Sequence, residues 1–181
     1  MITNVRIAGV GGQGAVTAGQ LLAEAAALDG LYATQSEAYT GIIRGGHAMS
    51  NVRISDEPIV FPWVMHSDYL VAMHQRALDA HLRTLSPGGV LIFDPVLVTK
   101  IPGDVDARVI SVRILELAQR AGRNVVGNVV ALAALARVSN LVTQRSVEMA
   151  VLRHVPKGTE DLNRRAVQLG FDVELDAAAV A

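Results

Sequence analysis

A chain of 181 residues with 16 Lys and Arg, 17 Asp and Glu and a formal net charge of −1 has the length of one domain burying about 70% of its unfolded surface. It carries no basic block or aromatic-interleaved Lys/Arg stripe, which excludes nucleic acid and anionic membranes as expected partners. It contains no Cys, which excludes a disulfide framework and the thiolate ligands of ordinary iron–sulfur clusters.

In chain order, residues 4 to 9 read as a buried parallel strand, and Gln13 to about Asp29 as a helix closed by Gly30. Tyr32 to Gln35 is a second short strand. After a loop from Glu37 to Gly46, Ala48 to Ile54 and Pro58 to Phe61 flank Ser55-Asp56-Glu57, which reads as a hairpin turn. Tyr69 to Met73 is a continuous apolar strand, followed by a helix over Gln75 to Leu85, a Ser86-Pro87-Gly88-Gly89 turn and a strand from Val90 to Phe93. Arg108 to Val112 is the last strand, and Leu115 to Ala121, Val125 to Arg137, Gln144 to His154 and Glu160 to Leu169 read as helices. The expected fold is α/β: a Rossmann-like, mostly parallel sheet with an antiparallel hairpin insertion and a helical C-terminal third. One domain is expected over residues 1–175, with 176–181 a frayed tail. The 51% hydrophobic content, much of it Ala and Val, implies surface set aside for other subunits. With no charged segment and apolar run before the first strand, and no stretch that could span a bilayer, a cytoplasmic location is expected.

The chemistry concentrates in the first turn. Gly9, Gly11 and Gly14 have the spacing of a dinucleotide-type turn, in which small residues allow close backbone approach while free N–H groups and the helix dipole favour an anion. A helix packed closely on a strand without ligand has the same sequence. Glu37 ends the second strand, where a dinucleotide fold places the carboxylate that binds ribose hydroxyls, and it is the strongest argument for a nicotinamide or flavin enzyme. Arg44 offers a rigid donor fork, with Gly45 and Gly46 leaving room for backbone N–H groups at the same anion; the alternative is an arginine at a subunit seam. Asn128 can cap helix N–H groups or contact ligand, capping being the simpler role. His74 and His81 could share a helical face but have no third ligand near in sequence, so capping or surface roles explain them better than metal. No catalytic residue is assigned to this chain.

The run Gly9-Val10-Gly11-Gly12-Gln13-Gly14, the loop ending in Arg44-Gly45-Gly46, and Val52-Arg53-Ile54-Ser55-Asp56-Glu57-Pro58-Ile59 together resemble the gamma subunit, or gamma domain, of 2-oxoacid:ferredoxin oxidoreductases. That family includes pyruvate, 2-oxoglutarate, ketoisovalerate, indolepyruvate and phenylglyoxylate types. Val90 to Asp94, Gly127-Asn128-Val129, and Leu162-Asn163-Arg164-Arg165-Ala166 through Gly170 look like later landmarks. Thr40 stands where relatives carry Gly, and Ile43 where a polar residue is common, so the substrate class does not carry over. The resemblance implies a multisubunit enzyme that decarboxylates a 2-oxoacid, joins the acyl group to coenzyme A and reduces ferredoxin or a related acceptor. It places thiamine diphosphate and iron–sulfur clusters in partner alpha, beta and ferredoxin-like delta chains. This chain would assist assembly and share in binding coenzyme A through Gly9, Gly11, Gly12, Gln13, Gly14, Glu37, Arg44, Gly45, Gly46 and Asn128. A stand-alone NAD(P)- or flavin-binding oxidoreductase, or a ligand-free interaction module, are the alternatives.

Overall fold

The computed structural model describes residues 1–39 and 46–174. Thr40 to Gly45, which include Arg44, and the expected tail after 175 lie outside the described residues. The strands are β1 (Ile2–Val10), β2 (Tyr32–Tyr39), β3 (His47–Ser55), β4 (Ser67–Ala72), β5 (Leu85–Phe93) and β6 (Ala107–Ser111). The helices are α1 (Ala15–Leu28), α2 (Gln75–His81), α3 (Ile114–Ala121), α4 (Gly127–Ser139), α5 (Gln144–His154) and α6 (Glu160–Phe171).

They form one sheet in the order β2-β3-β1-β4-β5-β6. β1, β4, β5 and β6 run parallel, and β3 lies antiparallel between β1 and β2. The antiparallel hairpin expected from the sequence therefore exists, but it is β2–β3. Residues 58–61, read from sequence as its second arm, form no strand. Pro58 at the start of that segment and Pro62 just after it lack the N–H that a ladder needs. The turn expected at Ser86 to Gly89 is instead absorbed into β5, with Gly88 in the left-handed region and an irregular register beside β4.

Alternation of side chains gives the sheet two faces. Val5, Ile7, Val52, Val71, Ile92 and Ile110 point into the larger core, under α1 and the C-terminal helices. Ala8, Leu70, Leu91, Phe93 and Val109 point to the other face, where Ala77 and Leu78 of α2 pack. The sequence of α4, Gly-Asn-Val-Val-Ala-Leu-Ala-Ala-Leu-Ala-Arg-Val-Ser, has little polar face because the helix packs against α1, α3, α5 and α6 and buries Val129 to Ala136 completely or nearly so. Much of the Ala and Val content therefore fills α1 and α4 inside the domain. Small residues let helices approach closely. A Cβ on Gly19 of α1 would stand 1.9 Å from Oγ of Ser50 on β3, and one on Gly170 of α6 would stand 2.5 Å from Cβ of Ala133 on α4.

Candidate functional site

The parallel strands β1, β4, β5 and β6 end at one edge of the sheet, and α1 and α2 leave it on opposite faces. That is the crevice in which open α/β sheets bind ligands. The turn after β1 occupies it. Gly12 has φ 89° and Gly14 φ 74°, both in the left-handed region that glycine alone enters freely. Gly14 is the N-cap of α1, no side chain caps that helix, and no acid lies in its first turn. The first N–H groups of α1 thus face outward with the positive end of the helix dipole. Among the described residues, nothing stands within 4 Å of a Cβ built on Gly12, so they leave this side of the turn open.

Gln13 is fully engaged in holding the turn. Its Oε1 accepts from the Val10 N–H at 2.8 Å, and its Nε2 donates to the Met73 carbonyl at 2.8 Å. A single amide therefore joins the end of β1 to the residue after β4, alongside the Met73 N–H that donates to the Ala8 carbonyl at 2.9 Å. Gly9 leaves room for this strut, since a Cβ there would stand 2.8 Å from Gln13 Oε1. The Gly11 N–H donates to the Gly46 carbonyl at 2.9 Å, which ties the turn to the start of β3.

Asn128, the second residue of α4, does not cap: no side chain caps this helix. Its amide instead lies against the turn, with Nδ2 only 2.8 Å from where a Gly14 Cβ would be. The structure therefore brings Gly9, Gly11, Gly12, Gln13, Gly14, Gly46 and Asn128 into one place. It sets Glu37 apart. Glu37 stands on β2, paired with Ser50 of β3, which pairs in turn with Ile7 of β1. An antiparallel strand thus intervenes where a dinucleotide fold would have β2 beside β1, and the ribose-binding argument loses its geometry. Arg44 and Gly45 lie outside the described residues.

Next to the turn is a cavity of about 140 Å³ lined by Gly12, Gln13, Met73, Asp94, Ile114 and Gly127 among others. Asp94, immediately after β5, was not singled out as a site residue from the sequence. It is fully buried, with Oδ1 accepting from Val96 N–H and Oδ2 from Leu115 N–H, both at 2.8 Å. It fixes the start of α3 and thereby one wall of the cavity. Its place at the end of an apolar parallel strand is the signal that could have marked it. His74 accepts from the Arg76 N–H at 3.1 Å and caps α2, as expected of a capping histidine. Among the described residues no group of acidic and histidine side chains is placed to hold a metal ion, and no helix is long and apolar enough to cross a membrane.

The family model for pyruvate ferredoxin/flavodoxin oxidoreductase matches residues 4–173. The 2-oxoglutarate synthase subunit KorC of Methanocaldococcus jannaschii is 41% identical, over 96% of this chain and 94% of its own length. Among solved structures, the gamma subunit of a keto/oxoacid ferredoxin oxidoreductase from Geobacter sulfurreducens superposes with a TM-score of 0.87 at 39% identity, covering 95% of both chains. The fold also recurs, with a TM-score of 0.84 at 22% identity, within a chain of 2-oxoglutarate:ferredoxin oxidoreductase from Magnetococcus marinus, solved with 2-oxoglutarate, coenzyme A and succinyl-CoA bound. There the match covers 93% of this chain but 30% of the other.

Proposed function

The chain belongs to the pyruvate ferredoxin/flavodoxin oxidoreductase family as a gamma-type, non-autonomous subunit of a 2-oxoacid oxidoreductase, and on that premise we propose that its glycine turn holds the pyrophosphate of coenzyme A. The observation that carries this reading is the open side of Gly12 beside the uncapped start of α1. Backbone N–H groups, a helix dipole and unfilled space meet there, which is what a phosphate requires. Coenzyme A in the Magnetococcus structure, whose chain shares this fold, supports the choice of ligand.

In this reading the gamma chain does no bond-making. A 2-oxoacid is decarboxylated, its acyl group passes to the thiol of coenzyme A, and two electrons leave to ferredoxin or a related acceptor. Thiamine diphosphate supplies the carbanion chemistry and iron–sulfur clusters the electron path, both held by alpha, beta and ferredoxin-like delta chains. This chain, which has no Cys, supplies no thiolate ligand for a cluster. Its residues act on binding alone. Gln13 and Gly46 hold the turn in shape, Gly12 and Gly14 expose its N–H groups, and the amide of Asn128 lies at its flank. Arg44 and Gly45, which lie outside the described residues, are assigned to the same anion as further donors. The KorC relative makes 2-oxoglutarate the first oxoacid to assay.

The test is Gly12→Val in the reconstituted complex. The added side chain meets no atom of the described residues near its Cβ and enters the space assigned to phosphate. The half-saturating concentration of coenzyme A should rise at least tenfold, while coenzyme-A-independent decarboxylation of the oxoacid persists. An unchanged coenzyme A dependence in an assembled complex defeats this reading.

A further inference from the structure

The chain's single Trp lies outside its core. Residues 56–66 connect β3 to β4 without regular structure and lie across the sheet face opposite α1. Trp63 is 60% exposed, Phe61 55% and Met65 71%. Two arginines from neighbouring strands fix this strap. Arg53 of β3 donates to the carbonyls of Phe61 and Trp63, and its guanidinium lies 5.9 Å from the centre of the Phe61 ring. Arg6 of β1, buried, donates from Nε to Asn51 at 2.7 Å and from NH2 to the Val64 carbonyl at 3.0 Å. Val64 is tucked in at 7% exposure. The strap's backbone is thus pinned by charge-assisted hydrogen bonds while its large side chains stay in solvent.

Among the described residues no helix covers the strap. α1 packs on the other side of β2 and β3, and α2 packs against β1 and β4. Tyr32 and Ile2, each about half exposed, pair beside Ser55 on the same face of the sheet as Arg53. An apolar patch of Trp, Phe and Met beside Arg has the composition of a binding hot spot, and a pinned backbone lowers the ordering cost of association.

We propose that this strap, with Trp63 and Phe61 at its centre, is the surface on which the larger catalytic partner chain docks. The proposal rests on the reading of this chain as a subunit. The longer Magnetococcus chain selects the occupant. The present fold makes up 30% of it, so the same module is there joined to a much larger remainder. The chain that corresponds to that remainder has the best claim on an exposed, pre-ordered apolar face.

The experiment is co-expression of the full set of subunits with an affinity tag on this chain, comparing wild type with Phe61→Ser/Trp63→Ser and, separately, with Val60→Glu/Met65→Glu. Val60 is 96% exposed, so the second variant disturbs no internal packing at that position. Each variant should keep the circular dichroism spectrum of the wild type and retain the larger chain about tenfold less. Wild-type retention by both variants overturns the proposal and leaves the subunit reading intact. Loss of self-association in the isolated variants with retention unchanged also overturns it, making a second copy the occupant. Failure of the wild type itself to retain any larger chain overturns both the proposal and the reading beneath it.

Discussion

Gly14→Ala tests the contact that links the glycine turn to α4. Two penalties add at that position. An alanine held at φ 74° pays about 1–2 kcal/mol for the left-handed conformation. Its Cβ would also stand 2.8 Å from Asn128 Nδ2 and 2.9 Å from Cγ, well inside the ordinary contact of about 3.5–4.0 Å. Relieving that overlap costs a further ~1–3 kcal/mol. Gly12→Ala is the internal control, because it carries φ 89° but meets none of the described residues within 4 Å, so only the first penalty applies. Urea unfolding of the isolated chain should therefore rank the variants as wild type, Gly12→Ala, Gly14→Ala in falling stability. Asn128→Ala removes the two nearest clashing atoms, and adding it to Gly14→Ala should recover about 1 kcal/mol or more beyond additivity in a double-mutant cycle. Equal costs for Gly12→Ala and Gly14→Ala, with no recovery from Asn128→Ala, would refute the placement of Asn128 against the turn.

The same packing logic makes Gly19→Ala severe: its Cβ would overlap Ser50, and thermal unfolding should show a loss of at least ~2–3 kcal/mol. His81 is half-buried beside Arg6 and His47, and burial first, then repulsion from Arg6 and His47, push its pKa down to about 4. The folded state thus favours the neutral ring, so stability is fully present above the ordinary value of about 6.5 and falls as pH drops from there towards 4. The full shift corresponds to about 3 kcal/mol, and screening of the part-exposed ring reduces it to about 1–2 kcal/mol; His81→Gln should flatten that part of the pH–stability profile. Asp29, at the end of α1, accepts from the Thr143 N–H at 2.6 Å, Thr143 Oγ1 at 2.9 Å and Ser146 Oγ at 2.5 Å. Burial raises its pKa, but the bonds from Ser146 and Thr143 together outweigh this and leave it below the ordinary value. Its contribution is therefore present above about pH 4 and should disappear as pH falls further, and Asp29→Ala should cost about 1–2 kcal/mol at neutral pH. In the assembled enzyme, Arg44→Lys should weaken coenzyme A binding by about 1–3 kcal/mol through loss of the bidentate fork; an unchanged affinity with a complex that loosens at raised salt would move Arg44 to the subunit seam.

Local patterning determined the element types. Continuous apolar runs marked β1, β4 and β5, helical periodicity marked α1 and the four C-terminal helices, and α5 matches its sequence range, Gln144 to His154, end to end. The glycine turn was legible for the same reason: spacing and left-handed demand are properties of neighbouring residues. Pairing was not legible, because strand order is decided by which hydrophobic faces can be buried together. An antiparallel hairpin was expected about Ser55-Asp56-Glu57, yet the assembled sheet forms it from β2 and β3 and inserts β3 between β2 and β1. That insertion carries Glu37 away from the turn. Asn128 shows the same limit. Its place near the start of an apolar helix suggests a cap, and only the packing of α4 against α1 puts its amide on Gly14. The role of Gln13 likewise needed the Met73 carbonyl, which β4 brings beside β1 by parallel pairing. The sequence by itself thus determined the glycine turn, whereas the tertiary structure decided which side chains hold that turn in shape, since their partners become neighbours only when the sheet and helices close on one another.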